Sequence, residues 1–135
     1  MTIRRGDTPG LAGPPEYKHY ASVPPRTRLV FLAGQVPLDG SGQVVGMDDH
    51  LAQTRQCLAN LRQTLEEVGA SARDAVRTTV YVVASEQRFM GEVWGAILDS
   101  DLGDVARTAA TLLGVARLGY TGQLVEIEVT VALPA

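Results

Sequence analysis

The feature that most constrains this chain is an imbalance between strands and helices. The segments RLVFLAGQV (28–36) and TVYVVA (79–84) are apolar on both faces of an extended chain, whereas only residues 48–70 and 86–100 have the apolar stripe of an amphipathic helix. Two helices can cover only one face of a sheet of five or six strands. The other apolar face therefore needs a partner, which predicts self-association, with clefts between subunits as natural places for ligands.

The order of these segments predicts the fold class. Short or extended β segments at 17–23, 28–36 and 43–45 precede the first helix, another strand separates the helices, and ARTAATLL and QLVEIEVTVAL follow the second helix. This mixed order with short connections predicts an α+β fold with one sheet and both helices packed on it. The strand–helix–strand passage over 29–83 predicts a right-handed crossover between parallel neighbours.

Length, charge and cysteine content restrict the class of protein. A chain of 135 residues fits one domain, for which we predict residues 17–135, after a flexible Gly- and Pro-rich arm over 1–16. A net charge of -3 without a basic block argues against nucleic-acid binding. No apolar run predicts a leader or a membrane span, and the single Cys57 predicts no disulfide. We therefore expect a cytoplasmic protein.

Motifs for the commonest enzyme mechanisms are absent from the sequence. It contains no GxSxG, HExxH, CxxC or P-loop pattern. His19 and His50 have no acid or nucleophile beside them in sequence, and Cys57 lies next to the apolar stripe of its helix. We expect neither a metal nor an organic cofactor.

Two charged residues near the C-terminus are the candidates for chemistry. In QLVEIEVTVAL the side chains of Glu126 and Glu128 share one face, which is either a solvated face or part of a site that handles protons. If ARTAATLL and QLVEIE pair as antiparallel neighbours, Arg107 and Glu126 converge. Arg107 has no evident local partner, so it is either a clamp for a ligand carboxylate or part of a surface or intersubunit ion pair. Arg117 is the rival arginine, in a segment expected to be exposed.

Five blocks of the sequence resemble a known family. RLVFLAGQVPLDGSGQVVG, QTRQCLANLRQTLEEVGAS, VRTTVYV, ARTA and LVEIEV are similar, in order and spacing, to the blocks of the RidA (YjgF) deaminases, also known as L-PSP endoribonucleases. The resemblance covers Tyr20 to Val131. It implies a fold like that of trimeric chorismate mutase: a six-stranded sheet with two helices on one face, three subunits closing a barrel, and ligand clefts between them.

The resemblance also implies an activity and its residues. Family members hydrolyse 2-imino and enamine acids of the 2-aminoacrylate type to 2-keto acids and ammonia. Arg107 matches the arginine that binds the substrate carboxylate, Glu126 the glutamate that positions the attacking water, and Tyr20 a tyrosine that lines the cleft. The remaining positions expected to contact substrate are Ala33, Gly34, Thr108 and Tyr120.

Several positions depart from the family pattern. Ala33 stands where the family often has serine, Gly91 where many members have asparagine, and Ala109 where cysteine is frequent. The 112–122 segment is longer than in the best-known deaminases and carries Tyr120, which suggests a different or bulkier ligand. The alternatives are a binding protein without turnover and an endoribonuclease; the acidic balance and the lack of a histidine pair weigh against the latter.

Overall fold

The computed structural model describes all 135 residues. It contains six strands and two α-helices, and no helix is both long and apolar enough to cross a membrane. In chain order the elements are β1 (Arg4–Gly6), β2 (Tyr20–Ser22), β3 (Thr27–Phe31), α1 (His50–Glu67), β4 (Ala75–Val83), α2 (Gln87–Asp99), β5 (Ala109–Val115) and β6 (Val125–Pro134).

The strands form two sheets, so the prediction of a single six-stranded sheet was wrong. Four strands pair in the order β3-β6-β4-β5, and β1 and β2 form a separate antiparallel ribbon. Pro24 and Pro25 lie between β2 and β3. Because proline has no backbone N–H to donate, this pair interrupts the pairing between the two sheets. The predicted α+β class, with a mixed sheet and two helices, is confirmed.

The predicted short strand over 43–45 is reduced to one bridge, between Leu38 and Val44. The turn before it is held by Asp39, whose Oδ1 accepts hydrogen bonds from the Ser41 N–H and hydroxyl at 2.9 and 2.7 Å and from the Gln43 N–H at 3.0 Å. The bonds from the Gln43 and Ser41 amides and the Ser41 hydroxyl lower the pKa of Asp39. The carboxylate thus takes over donors that a longer strand pairing would have used.

Strand neighbours differ from two of the sequence-based expectations. β6 pairs antiparallel with both β3 and β4, so β3 and β4 run parallel but are not neighbours. The parallel neighbours are instead β4 and β5, which α2 connects. β5 and β6 do not pair, because β4 lies between them. The predicted antiparallel pairing of ARTAATLL with QLVEIE was therefore wrong.

The core lies between the sheet and the helices. Alternate β6 side chains point into it, and Val125, Ile127, Val129 and Val131 are fully buried. Helix α1 begins at the Asp49 cap, whose carboxylate accepts from the Ala52 N–H at 3.0 Å, and ends before Gly69, which has a φ of +76°. The buried positions of α1 and α2 fill the same core: Gln53, Thr54, Cys57, Leu58, Leu61, Leu65, Val93 and Ile97.

The opposite face of the sheet carries exposed apolar side chains. Phe31 is 75% exposed, and Leu29 and Leu113 are 43% and 40% exposed. Leu29 and Phe31 lie opposite Ala132 and Thr130 of β6, on the face that carries Glu126. Self-association through this face stays a prediction.

The N-terminal arm is attached to the sheet at β1. Arg5 donates from Nε to the Thr108 hydroxyl at 3.2 Å and from Nη2 to the carbonyls of Arg73 and Ala75 at 2.6 and 2.7 Å. Burial lowers the pKa of Arg5, and the charge of Asp104 opposes this shift. Residues 4–6 of the predicted flexible arm are therefore a strand, whereas the domain boundary at residue 17 stays a prediction.

Candidate functional site

Glu126 lies on the open face of β6, above Gly34. The chain after β3 stays paired with β6 because Gln35 and Ile127 exchange N–H···O bonds of 2.7 and 3.1 Å. This pairing brings Gly34 so close to the carboxylate that a β-carbon at residue 34 would overlap Oε2 of Glu126. The structure thus brings together two of the predicted site residues, and glycine is needed for their close approach.

The Glu126 carboxylate is held by Gln123, a residue that the sequence analysis missed. Gln123 is 3% exposed, and its Nε2 donates to Glu126 Oε1 at 3.1 Å and to the Val125 carbonyl at 3.0 Å. The Oε2 atom of Glu126 accepts no hydrogen bond from the chain. Gln123 is a polar residue at a position where the alternation of the strand predicts a buried apolar one. This break in the pattern was the signal available in the sequence.

Tyr120 and Ala33 belong to the same end of the sheet. The backbone N–H of Tyr120 donates to Gln123 Oε1 at 3.2 Å, and its side chain is 48% exposed. The carbonyl of Ala33 accepts from the Gln35 side chain at 2.9 Å. Together with Gly34, Gln123 and Glu126, these residues form what we call the glutamate half-site.

Cys57 lies under the other face of β6 and is no nucleophile. Its thiol is fully buried and donates to the Val125 carbonyl at 3.6 Å. Burial raises the pKa of the thiol far above its ordinary value, and the charge of Glu126 adds to this shift. The thiolate that a nucleophilic cysteine requires is therefore disfavoured.

Arg107 lies immediately before β5 and already has partners. Its Nε is 3.5 Å from Glu16 Oε2, its Nη1 is 3.3 Å from Asp104 Oδ1, and its Nη2 donates to the Leu98 carbonyl at 3.4 Å. The prediction that this guanidinium has no local partner was wrong. Sequence could not reveal Glu16, which lies ninety-one residues earlier and reaches Arg107 only through the folding of the arm.

Thr108 anchors the start of β5. Its hydroxyl donates to the Val76 carbonyl at 3.1 Å and accepts from Arg5 at 3.2 Å, and the residue is fully buried. The backbone carbonyl of Thr108 accepts from the Lys18 N–H at 2.9 Å. The threonine side chain therefore fixes the backbone that presents Arg107.

Tyr20 belongs to the ribbon that Arg5 attaches to this end of the sheet. Its ring packs against Gly6 of β1, where a β-carbon would be 2.7 Å from the Cζ atom, and the Arg4 guanidinium lies 5.6 Å from the ring centroid. Arg107, Thr108 and Tyr20, with the arm residues around them, form what we call the arginine half-site.

Within one chain the two half-sites do not converge. Ala109 lies opposite Arg77 of β4, and Glu126 lies opposite Tyr81. Arg107 precedes Ala109, so about six residues of strand separate the levels of the two charges, or roughly 20 Å at ~3.3 Å per residue. The expectation that they converge through neighbouring strands of one subunit was wrong. No group of three histidine, cysteine or acidic side chains is placed to hold a metal.

Comparison with known proteins finds a matching family model and similar solved structures. The family model described as Endoribonuclease L-PSP matches residues 12–133. A crystal structure of a Yersinia pestis protein of the conserved Rid family, YyfB, superposes with a TM-score of 0.80 at 31% identity, covering 98% of this chain and 100% of that one.

Two curated relatives are named as deaminases. The 2-iminobutanoate/2-iminopropanoate deaminase of Salmonella typhimurium is 33% identical over 81 residues, which cover 60% of this chain and 59% of that protein. The 3-aminoacrylate deaminase RutC of Acinetobacter baylyi is 29% identical over 69 residues, covering 51% and 55%. The chain thus spans little more than half the length of these two relatives, and 42% of a RutC family protein of Pyrococcus abyssi.

Proposed function

The chain belongs to the YjgF/RidA/L-PSP family, and on that premise we propose that it hydrolyses 2-imino and enamine acids to 2-keto acids and ammonia. The observation that carries this proposal is the carboxylate of Glu126, which Gln123 fixes through one oxygen while the other oxygen lies free over Gly34. A carboxylate oriented in this way can hold and deprotonate a water molecule.

The proposed reaction needs few groups because an imine carbon is already electrophilic. Glu126 takes a proton from water as the water oxygen bonds to the imine carbon, and the C=N π electrons move to the nitrogen, which receives that proton from Glu126. Glu126 then takes the hydroxyl proton of the carbinolamine as the C=O bond forms and passes it to the nitrogen, so that the C–N bond breaks and ammonia leaves the 2-keto acid. Arg107 binds the carboxylate and so orients the imine carbon toward the water.

We further propose that the two half-sites meet between subunits of a homotrimer. One chain alone keeps Arg107 and Glu126 apart, and its open sheet face carries the exposed side chains of Leu29, Phe31 and Leu113. Contact between copies would bury this apolar surface and place an arginine half-site beside a glutamate half-site. Cytoplasm remains the proposed compartment, since Cys57 is a free thiol.

The assay for this function uses imino acids that are generated in the reaction mixture. An amino acid oxidase supplies 2-imino acids from L-alanine or L-leucine, semicarbazide traps the imine, and the protein competes by hydrolysing it. We expect the initial rate of semicarbazone formation to fall in proportion to the amount of the protein. If the rate is unchanged with every imino acid tried, the protein is not an imine deaminase.

A binding protein without turnover is the second candidate. Ala33 supplies no hydroxyl, and Glu16 and Asp104 already neutralise part of the Arg107 charge, so fewer groups are available to bind and activate an imine. This candidate predicts Arg107-dependent binding of 2-keto acids without any fall in semicarbazone formation. The two measurements together separate the candidates.

The close approach at Gly34 gives a prediction about positioning. In Gly34→Ala the new methyl group would overlap the Glu126 carboxylate, but that side chain is flexible enough to swing away. We expect a thermal midpoint close to that of the wild type and a loss of about 100-fold in kcat, since a carboxylate displaced by about 1 Å no longer positions the water.

The matched control is Gly40→Ala. Gly40 has open space where a β-carbon would be added. This variant should retain both stability and activity. Equal activity of Gly34→Ala and Gly40→Ala would show that the position of the Glu126 carboxylate does not matter for the reaction.

A further inference from the structure

A mainly apolar cavity of about 330 Å³ lies beside β5, on the side of α2. Tyr17 and Trp94 meet there edge to face, with ring centroids 6.4 Å apart and planes at 82°. A volume of this order is enough for the side chain of a small organic ligand. The cavity is lined by Pro15, Tyr17, Trp94, Ala110, Thr111 and Leu112.

The chain segments that contact the Arg107 guanidinium also line the cavity. Glu16, which contacts Arg107 Nε at 3.5 Å, stands in the chain between Pro15 and Tyr17, two residues that line the cavity. Leu98, whose carbonyl accepts from Arg107 Nη2 at 3.4 Å, is one helical turn after Trp94 in α2. The cavity and the arginine therefore share two walls, the arm and the helix.

The contact with Glu16 shows that a carboxylate fits at this guanidinium. The side chains of Arg107 and Glu16 are 42% and 47% exposed, and ion pairs this open to water are weak. A carboxylate of a ligand can therefore take the place of Glu16. The rest of such a ligand then lies close to the cavity between Tyr17 and Trp94.

We propose that this cavity receives the side chain of the substrate whose carboxylate Arg107 binds. The inference rests on the proposed function and extends it to specificity. The site then prefers 2-imino and 2-keto acids with a branched or aromatic apolar side chain over those with a methyl group. Trp94 and Tyr17 are the specificity-determining residues, and Glu16 is the carboxylate that the ligand displaces.

Trp94 is the single tryptophan of the chain, so its fluorescence reports on the cavity directly. We would titrate the full-length protein with pyruvate and with 4-methyl-2-oxopentanoate, following Trp94 emission and, separately, the heat of binding. Both acids should bind, but only the branched one should shift the emission. Because each methylene in an apolar pocket improves binding by roughly tenfold or more, we expect its Kd to be at least about tenfold lower.

The decisive variant is one that fills the cavity. Ala110 lies opposite the buried Thr78, on the helix side of β5, so Ala110→Leu should fill the cavity without reaching the guanidinium. It should remove most of the preference for the branched acid and leave the Kd of pyruvate within about twofold. Ala59→Leu, at an exposed position of α1, is the matched control and should change neither affinity.

The outcomes separate this inference from the proposed function. If the two acids bind equally well, or Ala110→Leu weakens both to the same extent, the cavity is not the side-chain pocket, whereas a fall in semicarbazone formation would still support the proposed function. If neither acid binds, or if Arg107→Ala leaves both affinities unchanged, this inference is wrong, and the proposed function is wrong as well if semicarbazone formation is also unchanged.

Discussion

Replacing Arg107 with alanine should lower kcat/KM for 2-imino acid hydrolysis by about 100-fold. The substrate carboxylate would lose a charged partner, and removing one member of such a pair costs roughly 2–5 kcal/mol. We expect a value near the lower end, about 2.7 kcal/mol, because the arginine side chain is 42% exposed. The loss should appear mainly in KM and in the Kd of pyruvate, measured by the semicarbazone assay and by calorimetry.

Arg117→Ala is the control for this prediction. Arg117 is also an arginine before β6, but it is exposed in the segment between β5 and β6 and forms no ion pair. Its replacement removes the same charge and should change kcat/KM by less than about threefold. If Arg117→Ala is the more damaging of the two, the carboxylate clamp has been assigned to the wrong arginine.

Replacing Glu126 with glutamine should lower kcat by about 100- to 10,000-fold, the range expected when a general base is lost. The amide cannot accept the proton of the attacking water, although it keeps the size of the side chain and its contact with Gly34. Binding of pyruvate should change much less, because Arg107 is untouched. Size-exclusion chromatography should show the same assembly as for the wild type.

Glu128→Gln is the matched control for Glu126→Gln. Glu128 lies two residues further along β6 on the same face, and its Oε1 accepts from the Tyr81 hydroxyl at 2.9 Å. That hydrogen bond raises the pKa of Tyr81, so the variant has a measurable effect of its own in a tyrosine titration. Its activity should stay within about threefold of the wild type. Equal losses in both variants would indicate a general effect of charge on the sheet face.

These predictions depend on the positions of charged groups, which the sequence alone does not give. Glu16 and Asp104 reduce the positive charge that Arg107 offers, and Gln123 restrains Glu126. At the arginine half-site a ligand must therefore compete with the carboxylate of Glu16. At the glutamate half-site it meets a carboxylate that Gln123 already orients. This asymmetry explains why we expect Arg107→Ala to act on binding and Glu126→Gln to act on turnover.

The sequence by itself determined the local structure. The alternation of Val125, Ile127 and Val129 against Glu126 and Glu128 defined both faces of β6, because successive side chains of a strand point to opposite sides. The apolar stripe over residues 48–70 predicted an amphipathic helix, and α1 buries that stripe against the sheet. Such patterns depend on residues a few positions apart, so no knowledge of distant contacts is needed.

Only the tertiary structure decided which strands and charges became neighbours. β4 lies between β5 and β6 in the sheet, although β5 and β6 are consecutive strands in the sequence. Strand order is set by the best burial of the whole sheet, and a connecting segment such as 116–124 is long enough to pass over one strand. For the same reason the arm brought Glu16 to Arg107. Contacts between residues far apart in the chain follow from packing, which local sequence patterns do not encode.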